Sequence, residues 1–174
     1  MTSKPIWILG ESLMDCVAQP NGMLNPLMGG SPYNLARAAA LRGAKVSYIN
    51  PFSTDCFGDQ LEALLKADGA QALSVRSRLP TSLAVVQVTN GQPSYGFYRE
   101  GVADRATDAE RLTRACRNAP GLQLVCTGAL ALSPDDAGTY LPWLAAQRGA
   151  GKLIVVDANL RPSVMPDLPR YRAH

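Results

Sequence analysis

Short, unbroken apolar runs recur along the chain and alternate with stretches in which apolar residues return every third or fourth position. The first run, Ile6-Trp7-Ile8-Leu9-Gly10, has no polar face, the pattern of a strand buried on both sides in a parallel sheet, and is expected to be central. Leu13 to Ala18 forms a second apolar patch, and Asn21-Gly22 is a strong hairpin signal. If residues 13–18 and 23–28 pair as strands, Asp15 comes to the same end of the structure as Gly29 and Gly30. Lys45 to Asn50 reads as the next strand, and Phe57 to Ala67 as a helix with Leu61, Leu64 and Leu65 on its apolar side. With a helix over 32–42 between the strands, this is the strand-helix-strand grammar of a parallel sheet covered on both faces.

A second hairpin is predicted from Leu83 to Thr89 and Ser94 to Tyr98 around Asn90-Gly91, with an alternation compatible with a sheet standing apart from the main one. Asp108 is placed to cap a helix running to about Cys116, and Leu122 to Thr127 is another buried strand, ending in Gly128. Pro134 to Gln147 reads as helical, with Ser133 as cap and Pro134 at the first helical position. Lys152 to Val156 is the most apolar strand and ends in Asp157-Ala158-Asn159-Leu160-Arg161-Pro162. Open α/β sheets place ligands at the carboxyl ends of buried parallel strands, so this stretch reads as active-site lining ahead of a structural turn. Pro162, Pro166 and Pro169 then break the chain, and no internal repeat occurs.

The polar residues around Gly29-Gly30-Ser31-Pro32-Tyr33-Asn34 have no evident packing task. Neither glycine carries a Cβ, so the backbone can turn sharply and a ligand can approach closely. Ser31 fits the N-cap and Pro32 the first helical position, while Gly43 can close the helix in the left-handed conformation. Asn34 then lies in the first turn, where its amide donates and accepts beside free N–H groups, suited to a hydroxylated or anionic ligand. The local spacing fits a plain loop followed by a capped helix equally well. Asp15 likewise reads either as a site residue or as a surface carboxylate on an edge strand.

Composition narrows the class. The 174 residues are 47% hydrophobic and 18% charged with net charge +3, which describes one ordinary globular domain. A chain of this length buries roughly 70% of the surface its unfolded form exposes. Arg111, Arg114 and Arg117 share a helical face, but no aromatic or glycine-rich signature accompanies them; a solvated face is the simpler reading, and no nucleic-acid partner is expected. Cys16, Cys56, Cys116 and Cys126 lack metal-binding spacing, and three of them sit among apolar neighbours like core residues of a reducing compartment. The one histidine is His174, which removes histidine-based catalysis. Without a signal-peptide pattern or a run long enough to cross a bilayer, the expected location is the cytoplasm, with no membrane partner and no metal site.

A dinucleotide fingerprint would need G-x-G-x-x-G after the first strand, and Leu9-Gly10-Glu11-Ser12 does not supply it. A P-loop and a nucleophile elbow are also missing. What the residues do resemble is the ribokinase-like carbohydrate kinases with PfkB signatures, within them the fructokinase and 2-keto-3-deoxygluconate kinase branch. Gly10-Glu11-Ser12-Leu13-Met14-Asp15 resembles the opening strand and its substrate-binding aspartate, and Gly29-Gly30-Ser31-Pro32-Tyr33-Asn34-Leu35-Ala36 with Gly43 is similar to the first signature. Phe97-Tyr98-Arg99 and Asp157-Ala158-Asn159-Leu160-Arg161-Pro162 resemble later blocks, in the family's order.

The resemblance implies an α/β fold: a ribokinase-like αβα sandwich with a Rossmann-like parallel sheet, truncated at its C-terminus, and a small β lid inserted at about 11–28 and 83–99. Residues 1–174 would be the N-terminal part of such a kinase domain, one that phosphorylates a sugar or sugar-acid hydroxyl from ATP with Mg2+. By resemblance Asp15, Gly29, Gly30 and Asn34 would hold the sugar, Arg99 would reach it from the lid, and Asn159 and Arg161 would lie near the phosphate path. Ser53 stands where the first signature usually ends in glycine. The family's Gly-Ala-Gly-Asp signature, with the catalytic aspartate, the anion hole and most of the ATP pocket, would lie beyond residue 174. The chain by itself is therefore expected to be inactive and not to bind ATP competently; the alternative is a sugar-binding or homodimerising module that uses the lid as its interface. A half-built parallel sheet would also leave an apolar edge and face uncovered.

Overall fold

Two sheets organise the chain, and the apolar pattern of one central strand explains why helices cover both sides of the larger. The computed structural model describes residues 5–89, 92–117 and 124–160, together with 167, 169 and 172. Its elements run β1 (Ile6–Leu9), β2 (Leu13–Ala18), β3 (Leu24–Gly29), α1 (Ser31–Leu41), β4 (Val46–Tyr48), α2 (Cys56–Ala67) and β5 (Gln71–Ala72). There follow β6 (Ser82–Thr89), β7 (Gln92–Tyr98), α3 (Ala109–Cys116), β8 (Leu124–Gly128), α4 (Ala137–Gly149) and β9 (Leu153–Asp157).

The main sheet has the order β5-β4-β1-β8-β9 and is parallel throughout. Along β1, Trp7 and Leu9 enter one core with Leu112 and Cys116 of α3 and Tyr140, Trp143 and Leu144 of α4. Ile8 enters the other, with Tyr33 and Ala36 of α1 and Leu61 and Leu65 of α2. That is the period-two alternation of a strand, with both sides apolar because both are roofed by helices. The rings of Trp7 and Trp143 stack with centroids 6.3 Å apart, as do those of Tyr48 and Phe52 at 5.2 Å. Each such aromatic pair is worth about 0.5–1.5 kcal/mol beyond its burial.

The second sheet, β3-β2-β6-β7, is built from the two hairpins, joined by a parallel pairing of β2 with β6. It stands apart from the main sheet as the alternation of its strands predicts. The turn at Asn90-Gly91 lies outside the described residues.

Three local expectations are corrected. Helix α1 starts at Ser31 with Gly30 as its N-cap at φ 107°, because Ser31 has both polar groups engaged elsewhere: its N–H donates to Glu11 (3.2 Å) and its hydroxyl to Asp157 (3.1 Å). Helix α4 starts at Ala137, not Pro134. The carbonyl of Ser133 accepts from Asp136 and Ala137 in a preceding turn, and the Asp136 carboxylate is held by Arg99 and Arg105. The strand at 153–157 is not buried on both faces: it is the edge of the described sheet, with Leu153 64% and Val155 44% exposed. Ser53, by contrast, fits its turn, since its hydroxyl accepts from the Asp55 N–H (3.0 Å) and its carbonyl from the Arg76 guanidinium.

Candidate functional site

The main sheet reverses its winding between β1 and β8, since the chain leaves β1 for β4 on one side and returns to β8 on the other. Such switch points open a crevice at the carboxyl ends of the strands. Here a cavity of about 330 Å³ lies at that end, with Glu11 following β1, Leu130 following β8 and Asn159 following β9 on its wall.

Its floor is the glycine pair. A Cβ on Gly30 would lie 2.5 Å from the Glu11 carbonyl oxygen, and one on Gly29 would lie 2.1 Å from Asp15 Oδ2. The missing side chains let the β1–β2 turn and the Asp15 carboxylate press against the start of α1. Register does the rest: Leu13 pairs with Gly29 and Asp15 with Leu27, which delivers Asp15 and Gly30 to one wall. Asn34 and Ser31 join them from the first turn of α1. Across from this polar floor stand Tyr95 and Phe97 of β7, stacked with centroids 5.8 Å apart.

Asn159 is held at φ 26°, a left-handed value that asparagine tolerates better than most residues. Its N–H donates to Asp157 Oδ1 at 3.1 Å, and Asp157 Oδ2 accepts from the Ser31 hydroxyl. The end of β9 and the start of α1 are thereby tied together at the cavity.

Among the expected residues, Asp15, Gly30, Asn34 and Asn159 share the cavity, and Gly29 backs Asp15. Arg161 lies outside the described residues. Arg99 is brought close but spent elsewhere. Alternation along β7 sends Phe97 to the cavity and leaves Tyr98 63% exposed, while Arg99 turns into the foot of the lid. There its guanidinium meets Asp104 and Asp136, each at 3.2 Å, and the Ser82 hydroxyl donates to Asp104 as well. Asn50 extends this network to β1, donating to the Asp104 carbonyl (2.8 Å) and accepting from the Gly10 N–H (2.9 Å).

Sequence reasoning missed Glu11 as a site residue. It is 5% exposed, its Oε1 accepts from Ser31, and its Oε2 has no hydrogen-bond partner among the described residues. Burial pushes its pKa up to about 7, against the opposing pull of Arg99 and with the repulsion of Asp104 adding to it. A charged residue directly after a buried strand and its glycine was the available signal.

A parallel αβα core whose switch-point cavity is faced by a separate β sheet, with a carboxylate and an amide on a glycine floor, defines the ribokinase-like sugar-kinase fold. The chain belongs to the pfkB family of carbohydrate kinases, whose profile matches residues 7–174. It is 28% identical to a fructokinase of Rhizobium leguminosarum bv. trifolii over 94% of this chain and 51% of that protein, and 29% identical to fructokinase-2 of Solanum lycopersicum over 90% and 51%. The crystal structure of fructokinase with bound ATP from Xylella fastidiosa superposes with a TM-score of 0.83 at 28% identity, covering 97% of this chain and 57% of that one. The chain thus spans about half the length of the curated relatives it matches.

Among the described residues no cationic side chain lines the cavity, and no group of three or more His, Cys, Asp and Glu side chains is arranged to hold a metal ion. Nor does any helix among them have the length and apolarity to cross a membrane.

Proposed function

We propose that this chain forms the sugar-binding part of an ATP-dependent carbohydrate kinase of the fructokinase type and lacks the catalytic Gly-Ala-Gly-Asp region. The observation that carries the reading is the convergence of Asp15, Asn34 and Gly30 in one cavity faced by Tyr95 and Phe97. A carboxylate accepts from sugar hydroxyls, an amide both donates and accepts, and the aromatic pair offers an apolar surface to the C–H face of a sugar ring. A lid over the site excludes water that would compete for a phosphoryl group. These groups bind and orient an acceptor hydroxyl. Phosphoryl transfer further requires positioned positive charge around the phosphates and a base at the nucleophile, supplied in the family by the Gly-Ala-Gly-Asp region together with ATP and Mg2+. In this reading Asn159 and Arg161 line the phosphate path, and Arg99 sets the lid's angle from its foot.

The test is calorimetric titration of D-fructose into the purified chain, beside a coupled ATP turnover assay. Binding without turnover is expected, and Asp15→Ala should weaken it at least about tenfold through the loss of one charged hydrogen bond. Undiminished binding in that variant, or full kinase activity of the chain alone, contradicts the proposal.

A second reading, a catalytically inactive binding or homodimerising module, draws on the lid, where Leu24 and Leu27 of β3 are 51% and 50% exposed. A concentration-dependent dimer that Leu27→Lys dissolves would favour it. Three buried thiols and one exposed, none of them paired, fit the reducing cytoplasm as the place of work.

A further inference from the structure

The acidic wall of the cavity has a second member that Asp15 does not account for. The Glu11 main chain packs against a glycine, since a Cβ on Gly30 would strike its carbonyl oxygen, while its Oε2 lies toward Gly128, where a Cβ would stand at an ordinary contact distance of 3.9 Å. Its two carboxyl oxygens are unequal. Oε1 accepts the Ser31 N–H at the start of α1, whereas Oε2 is withdrawn from solvent without a partner among the described residues. A buried acceptor is ordinarily satisfied, so an orphaned one on a cavity wall marks where a ligand's donor belongs. Among the described residues the wall's charged side chains are Glu11 and Asp15, both acids, while Arg99 is committed to Asp104 and Asp136.

We propose that Glu11 is a sugar-positioning residue: its Oε2 accepts a hydrogen bond from a hydroxyl of a neutral sugar, and together with Asp15 it turns away a substrate that carries its own carboxylate. This rests on the reading of the cavity as a sugar site. A purely structural Glu11 would need only Oε1 for its task at the helix start. The groups that face the carboxyl are the Ser31 N–H from α1, Arg99 at the end of β7, Asp104 in the turn before α3 and Tyr48 from β4. Burial raises its pKa to about 7, so it is part protonated near neutrality. Only the ionised form accepts on both oxygens, so sugar affinity rises with pH through that value and binding expels a proton.

The experiment titrates D-fructose and 2-keto-3-deoxygluconate into the chain, into Glu11→Gln and into Asp15→Asn, in buffers of differing ionisation heat. The glutamine keeps an acceptor for Ser31 and replaces Oε2 by a donor. For the unaltered chain the fructose association constant should rise about tenfold between about pH 6 and about pH 8, with proton release, and exceed that for the sugar acid. Glu11→Gln should bind fructose at least about fivefold more weakly at the upper pH and show neither the pH dependence nor the proton release. Asp15→Asn should bind more weakly yet keep both. Unchanged affinity and pH profile in Glu11→Gln, or tighter binding of the sugar acid, overturns the inference while leaving the sugar site intact. Failure of the unaltered chain to bind either compound overturns the sugar site and the inference with it. Proton release by the unaltered chain is read without any variant, so a misfolded Glu11→Gln does not block the test.

Discussion

At the scale of single residues, the site is made as much by what is missing as by what is present. Gly30 holds φ 107° and ψ 125°, a combination open to glycine alone, with backbone 2.5 Å from where a Cβ would stand. Its neighbour across that gap is main chain, which cannot swing aside as a side chain would. Gly30→Ala should therefore lose about 1–3 kcal/mol of stability and, by displacing the Glu11 turn, most of the sugar affinity proposed for the cavity. A thermal melt and a fructose titration check both; a variant with unaltered melting and binding would refute the packing described. Sequence alone pointed to this glycine pair but assigned the N-cap to Ser31. It could not show that the serine's N–H and hydroxyl answer Glu11 and Asp157, residues far from it along the chain.

At the scale of elements, the lid is fastened at its foot, and the fastenings are polar. Asp55 caps α2 through Gly58 N–H (2.8 Å) and also receives the N–H and hydroxyl of Thr81, at 2.8 and 2.7 Å, just before β6 begins. One carboxylate thus ties a core helix to the root of the lid. Burial by itself would raise its pKa, but the hydrogen bonds from Gly58 and Thr81 outweigh burial and set it below the ordinary 3.8. Because the folded value is the depressed one, the stabilisation is fully present above 3.8 and is lost as the pH falls through the folded value. Asp55→Ala should cost about 1–2 kcal/mol near neutrality. Its melting curve should converge on that of the parent in acid; a gap that persisted there would show that the carboxylate charge is not what matters. The cap of α3 by Asp108 was plain in the sequence, whereas the second duty of Asp55, toward Thr81, depends on a contact between elements.

At the scale of the whole molecule, the main sheet as far as it is described ends in β9, whose Leu153, Val155 and Val156 are 64%, 44% and 43% exposed. An exposed apolar edge strand pairs readily with another chain. Val155→Lys should lower light scattering of the concentrated chain while leaving the fructose binding proposed for it unchanged. Equal scattering in the two would place any self-association elsewhere, for instance at Leu24 and Leu27 of the lid.

The order and type of nearly every described element follow from local pattern: unbroken apolar runs for the parallel strands, alternation and Asn-Gly turns for the lid, glycine closing α1 with Gly43 at φ 83°. These signals act over a few residues, so the sequence carries them openly. Asp15, Asn34 and the glycines were legible for the same reason. Tertiary structure alone decided that Arg99 spends its charge on Asp104 and Asp136, that the apolar β9 lies at the edge of the described sheet, and that Glu11 Oε2 is buried without a partner among the described residues. Those outcomes depend on which distant groups meet a side chain once the sheet is wound, and burial and pairing energies are set only there.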